Sequence, residues 1–172
     1  ENKVTFTNIP SDITLNCSDA LPIVINPLAT NYSGSLLVTY LGETRVDGNC
    51  LNNYYLTRKW LAESGCLFKD TVKQTITIID VNKPVFANCP TNITVECNAV
   101  PTAASPTATD KCDTQVTINY SEQKSNGSCV DGYDLIRTWT ATDNCNNSSQ
   151  CTQTVTVRDT KAPVFANCPT NI

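Results

Sequence analysis

The chain has 172 residues, 40 % hydrophobic and 16 % charged, with 12 Lys plus Arg against 16 Asp plus Glu for a net charge of −4. That balance excludes a highly charged disordered chain. No basic cluster and no apolar run of membrane-spanning length occurs, which argues against nucleic-acid binding and against membrane insertion of this segment.

Ten Cys beside no His read as disulfides in an oxidising compartment, because zinc sites draw on His or on tight Cys-x-x-Cys pairs and neither is present. Without His, a Gly-rich phosphate loop or a nucleophile motif, the chain is expected not to be an enzyme and to need no organic cofactor. It has no Met and opens at Glu1, as expected of an interior piece of a longer protein.

One string organises the rest. Pro84-Val85-Phe86-Ala87-Asn88-Cys89-Pro90-Thr91-Asn92-Ile93 returns letter for letter at residues 163–172, with 79 residues separating Cys89 from Cys168. Self-similarity of this kind marks a repeat protein. The expected organisation is β-sandwich repeat 1 (residues 1–81), β-sandwich repeat 2 (residues 82–160) and the first strand of a truncated third copy (residues 161–172).

In chain order, repeat 1 opens on Phe6-Thr7-Asn8-Ile9-Pro10-Ser11-Asp12-Ile13, a diverged form of that string. Tyr54-x-Leu56-x-Arg58-x-Trp60-x-Ala62 then puts every second side chain on one face, the mark of a strand with one buried side. Gln74-Thr75-Ile76-Thr77 reads as the closing strand. The joint Asp80-Val81-Asn82-Lys83-Pro84 is short, and its proline restricts both itself and its predecessor, so a stiff and nearly extended connection is expected. In repeat 2, Ile93-Thr94-Val95-Glu96-Cys97 alternates, the Pro-containing residues 100–106 form a loop, and Val116-Thr117-Ile118-Asn119-Tyr120 alternates again. The long strand recurs as Tyr133-x-Leu135-x-Arg137-x-Trp139-x-Ala141, and the closing strand as Gln153-Thr154-Val155-Thr156. No segment sustains a 3.6-residue period. The expected fold class is all-β: tandem immunoglobulin-like β-sandwich repeats, disulfide-stapled, arranged end to end.

The two copies serve as an alignment of two lines. Repeat 1 carries Ile9 and Val72 where repeat 2 has Cys89 and Cys151, and a lone buried thiol gains nothing from losing its partner. A Cys89–Cys151 bridge follows, with Ile9 expected against Val72 in repeat 1. Asn31, Ser33 and Ser64 stand at the places of Asp110, Cys112 and Asp143. Because these positions change together they are expected to form one cluster, which suggests pairing Cys112 with Cys145. That leaves Cys97 with Cys129 and Cys17 with Cys50, Cys66 without a partner and Cys168 waiting for one. Four cysteines allow three connectivities, so spacing alone does not fix these pairs.

Bringing Cys112 and Cys145 together would bring Asp110 and Asp143 together, with Asp113 nearby. Converging carboxylates can hold calcium. The plainer alternative, that each Asp bonds its own backbone in a turn, is favoured by the lack of a complete calcium-loop spacing. Asp80 and Asp159 at the joints have the same two readings, again with the turn preferred. Arg58 and Arg137 share the patterned face with Trp60 and Trp139, and a buried Arg needs a partner. Glu43 and Glu122 are one choice and stacking on the Trp rings the other.

The runs Asn88-Cys89-Pro90-Thr91-Asn92-Ile93-Thr94-Val95, Pro106-Thr107-Ala108-Thr109-Asp110 and Trp139-Thr140-Ala141-Thr142-Asp143-Asn144-Cys145 resemble the hyalin-repeat class of immunoglobulin-like modules. The joint Asp159-Thr160-Lys161-Ala162-Pro163-Val164-Phe165 is similar to those of giant Bacteroidota surface adhesins of the SprB gliding-motility type. The resemblance covers repeat 2 and the third-copy stub, whereas repeat 1 departs from it at Ile9, Ser33 and Val72. It implies a structural or adhesive module of a cell-surface filament attached at the outer membrane and exported by type IX secretion. Its partners would be neighbouring repeats and, beyond them, surface polysaccharide or other adhesin filaments. An accessory or carbohydrate-binding module of a large secreted enzyme is the alternative.

Overall fold

The computed structural model describes residues 3–64, 68–127 and 131–166, and every regular element among them is a strand. The first sequence copy supplies β1 (Thr5–Thr7), β2 (Ile13–Asn16), β3 (Leu28–Asn31), β4 (Gly34–Leu36), β5 (Val38–Asp47), β6 (Tyr54–Ser64) and β7 (Phe68–Ile79). The second supplies β8 (Val85–Ala87), β9 (Ile93–Glu96), β10 (Thr107–Thr109), β11 (Thr117–Asn126), β12 (Tyr133–Thr142) and β13 (Ser148–Arg158).

Alternation sets which side of each long strand is buried. Leu56, Arg58, Trp60 and Ala62 line the inner face of β6, as Leu135, Arg137, Trp139 and Ala141 line that of β12. In the first copy the sheet β2-β7-β6-β5 packs on the sheet β1-β3-β4. Val4, Ala29 and Ala62 form one core cluster between the sheets with Phe6, Leu36, Val38 and Phe68, and Leu56, Ile76 and Ile78 form another with Ile13 and Leu15. The second copy has the sheets β11-β12-β13-β9 and β10-β8, with Leu135, Val155 and Val157 packed on Ile93 and Val95. This is a β-sandwich repeated twice.

The string that opens each copy is two strands rather than one. β1 pairs antiparallel with β3, and β8 with β10. The chain then turns at Asn8 or Asn88, both at positive φ (54° and 57°), and crosses to the other sheet. Asparagine tolerates that region better than most residues. After the crossing, β2 lies parallel to β7 and β9 parallel to β13.

One difference in length is absorbed locally. Tyr40 and Glu43 are three positions apart, whereas Tyr120 and Glu122 are two apart. The extra residue sits in a β-bulge between Tyr40 and Gly42, with Gly42 at φ 103°, a conformation only glycine takes without strain.

The chain divides into two compact units. One comprises residues 1–84 with 110–116 and 142–147, and the other residues 85–109, 117–141 and 148–172. Two segments of the second sequence copy thus belong to the first compact unit.

Candidate functional site

Each copy buries an arginine beside its tryptophan. Arg58 Nε donates to Glu43 Oε2 at 2.9 Å and its Nη2 to the Pro22 carbonyl at 2.9 Å. Arg137 Nε donates to Glu122 Oε2 at 2.8 Å, and its Nη2 and Nη1 to the carbonyls of Pro101 and Thr102 at 2.7 and 3.4 Å. Of the two partners weighed for the arginines, glutamate is the one they hold. The rings of Trp60 and Trp139 lie against Tyr40 and Tyr120, with centroids 5.6 and 5.3 Å apart. The hydrogen bond from Arg137, joined by one from the Tyr120 hydroxyl, holds the Glu122 carboxyl below the usual glutamate range. Both sets pin a loop to a strand and serve the fold.

Three disulfides are formed among the described residues. Cys89 is joined to Cys151, with Cα atoms 5.9 Å apart. Cys17 is joined to Cys112 and Cys50 to Cys145, with Cα separations of 5.9 and 5.2 Å. This corrects the pairings Cys112–Cys145 and Cys17–Cys50. Cys97 is an exposed free thiol, and Cys129, its expected partner, lies outside the described residues, as do Cys66 and Cys168.

The physical reason for the correction is visible in repeat 1. Asn31 Nδ2 donates to Ser64 Oγ at 2.7 Å, so the positions that change together do adjoin in space. What adjoins is the oxygen-bearing side chains. The thiols two residues beyond Asp110 and Asp143 meet Cys17 and Cys50 instead, each 95 residues away and within the same compact unit. Ile9, expected against Val72, is 45 % exposed.

Asp110 and Asp143 are joined by a third carboxylate, Asp80, all three in the first compact unit; one oxygen from each lies within 4.8 Å of the others. Asp80 and Asp143 are only 5 % and 6 % exposed. Each residue follows a strand end and starts a turn by accepting from the backbone N–H two positions on. Asn82 N donates to Asp80 Oδ1 at 3.0 Å, Cys112 N to Asp110 Oδ1 at 2.8 Å and Cys145 N to Asp143 Oδ1 at 2.8 Å. These turns present Cys112 and Cys145 to their partners. The second oxygen of Asp143 accepts from Asn147 Nδ2 at 2.8 Å, and that of Asp80 from Asn52 Nδ2 at 3.4 Å. Asp110 Oδ2 is buried and accepts no hydrogen bond. Burial pushes the Asp80 carboxyl up from the ordinary aspartate range, and the charges of Asp110 and Asp143 add to the shift against the pull of the Asn82 N–H.

Asp113, buried, accepts from Asn144 N and Gln115 N at 2.8 Å each and forms a loop brace. Asp159 starts a turn by accepting from Lys161 N at 3.0 Å. The membership of Asp80 escaped the sequence reading, which placed it in a joint by itself. The available signal was the shared spacing: Asp-x-Asn at 80–82 matches Asp-x-Cys at 110–112 and 143–145. Gln74 and Gln153 were also missed as site-like residues. Each is buried and donates its amide at 2.8 Å, to the carbonyls of Ser11 and Thr91 respectively.

A shallow groove of about 380 Å³ in the second unit is lined by Ala103, Ser105, Pro106, Ile118, Tyr120 and Trp139. Trp139 is buried to 3 % exposure, so its ring presents no stacking face to a sugar.

Residues 85–157 match the family model described as an HYR-like domain with four cysteines. No curated protein matches the chain. Among solved structures, the protocadherin gamma B7 extracellular cadherin domains 1–4 share 15 % identity over 92 % of this chain and 51 % of that one, with a TM-score of 0.35. This chain therefore spans about half the length of that structure. The human mucin-like protocadherin EC1-2 shares 16 % identity over 92 % and 100 % of the two chains, with a TM-score of 0.36. The tandem Ig repeats of Dlar share 11 % identity over 92 % and 100 %, with a TM-score of 0.30.

Proposed function

We propose that the chain is a stretch of an extracellular adhesion-type repeat array, in which disulfides tie successive sequence copies into a stalk. The finer assignment is a cell-surface filament of the SprB gliding type, attached at the outer membrane and exported by type IX secretion. The proposed partners are neighbouring copies and, beyond them, surface polysaccharide or other adhesin filaments.

The observation that carries the reading is the pair Cys17–Cys112 and Cys50–Cys145. Each bridge spans 95 residues, more than one copy, so a pull along the chain is borne by covalent bonds as well as by strand pairing. Loop closure on this scale stabilises the fold by roughly 4–5 kcal/mol per bridge in the chain-entropy model. Bridges that persist also call for an oxidising compartment. The match of residues 85–157 to the HYR-like family supports the same class of module.

Two measurements test it. Stretched from its ends in a force microscope, the oxidised chain is expected to release less than half the contour length of the reduced chain, because the bridged loops cannot extend. Equal lengths in both states would remove the stalk. Fab fragments against the chain are expected to label intact source cells, to lose their target on protease shaving and to slow surface movement. Labelling confined to permeabilised cells would overturn the extracellular assignment, and unaltered movement of labelled cells the gliding one.

A further inference from the structure

We propose that Asp80, Asp110 and Asp143 form a binding site for a hard divalent cation, and that calcium is the ion that fits. This stands apart from the adhesive reading and rests on four observations.

The first is charge. Three carboxylates converge, two of them almost wholly buried, and among the described residues no Lys or Arg forms a salt bridge with any of them. Buried like charges without a compensating cation are costly. The second is an orphaned atom: Asp110 Oδ2 is buried without a hydrogen-bond donor, a state native structures rarely leave unexplained.

The third is an internal comparison. The corresponding corner of the first copy is built without charge. Asn31 Oδ1 accepts from Ser33 N at 2.9 Å, as Asp110 Oδ1 does from Cys112 N, and Asn31 Nδ2 donates to Ser64. The turn therefore needs an amide oxygen and no carboxylate, so the acids of the second copy supply something beyond the turn. The fourth is size. Oxygens about 2.3–2.6 Å from one calcium ion lie up to roughly 5 Å apart across it, and one oxygen from each of these three groups lies within 4.8 Å of the others. Magnesium, at about 2.0–2.1 Å, requires a tighter and more regular shell. The neighbouring sulfurs of Cys17 and Cys112 are committed to a disulfide and the chain has no His, so the donors are oxygens and favour a hard ion over zinc or copper.

The test uses the oxidised 172-residue protein, freed of metal with chelator and titrated with calcium chloride up to about 10 mM, a range that covers weak extracellular sites. Isothermal titration is expected to find one equivalent bound, thermal melting to show a midpoint several degrees higher in calcium than in chelator, and magnesium to bind more weakly. The double variant Asp110→Asn/Asp143→Asn keeps the turn-forming oxygens and removes two of the three charges. It is expected to melt in chelator no lower than the parent, to bind at least about tenfold more weakly and to lose the calcium-induced rise. Should it fold poorly, Asp110→Asn alone keeps the turn-forming oxygen and reads the same contrast. No calcium uptake by the parent, or equal uptake by the variant, would overturn the site, whatever becomes of the adhesive reading.

Discussion

Arg137 is held by three acceptors, and only Glu122 among them carries charge. The backbone carbonyls of Pro101 and Thr102 satisfy guanidinium hydrogens but do not neutralise the cation. Glu122→Gln is therefore expected to cost about 3 kcal/mol in urea unfolding, the low end for breaking a buried pair, since Glu122 is itself partly exposed. The pH dependence has a definite sign. The Glu122 carboxyl is lowered from 4.5 in the folded chain by Arg137 first and Tyr120 second. Its contribution is thus fully present above about pH 4.5 and lost as pH falls through the lowered value. The parent's unfolding midpoint should drop over that window more than the variant's, and parallel profiles would remove the pair as its source. The Arg and Glu positions were legible because both copies keep them. Which partner the arginine would choose was not, because alternation fixes a face and leaves the neighbour on that face open.

At the scale of the element, the long strands β6, β7, β12 and β13 were readable because each has a run of alternating side chains with one face buried. The short strands at the start of each copy were harder. Pro10 and Pro90 interrupt a pattern that looks continuous, and a change of sheet leaves no trace in periodicity. Besides its parallel pairing, the second half of that segment is tied to the closing strand by side-chain hydrogen bonds. Gln153 Nε2 donates to the Thr91 carbonyl and Asn92 Oδ1 accepts from Thr154 N, both at 2.8 Å. Gln74 and Asp12 repeat this in the first copy, at 2.8 and 2.7 Å. Gln153→Leu keeps much of the volume and removes the anchor. It is expected to cost about 1 kcal/mol and to speed hydrogen exchange in β9 more than in β12. Uniform acceleration across the sheet would mean that the glutamine merely fills space.

At the scale of the whole molecule, the covalent pattern was the part least open to sequence comparison. Cysteines kept in both copies align identically whether a bridge closes inside one copy or reaches into the next. Only where both partners are replaced together, as Cys89 and Cys151 are by Ile9 and Val72, do two aligned lines assign the bond. Asp110 and Asp143 were recognisable as neighbours while Cys112 and Cys145 were wrongly joined. Peptide mapping of the unreduced protein is expected to recover Cys17 with Cys112, Cys50 with Cys145 and Cys89 with Cys151, and alkylation before reduction should mark Cys97. A Cys17–Cys50 or Cys112–Cys145 peptide would instead return the bridges to single copies and remove the covalent basis of the stalk. The third bridge can be weighed separately, because the first copy already lives without it. Cys89→Ile/Cys151→Val reproduces Ile9 and Val72, and Ile9 is 45 % exposed, so apolar burial replaces the bond incompletely. The loss should approach the roughly 4 kcal/mol of a closed loop of 62 residues. A cost below about 1 kcal/mol in denaturant unfolding would mean that the sandwich, and not its bridges, sets the stability of each copy.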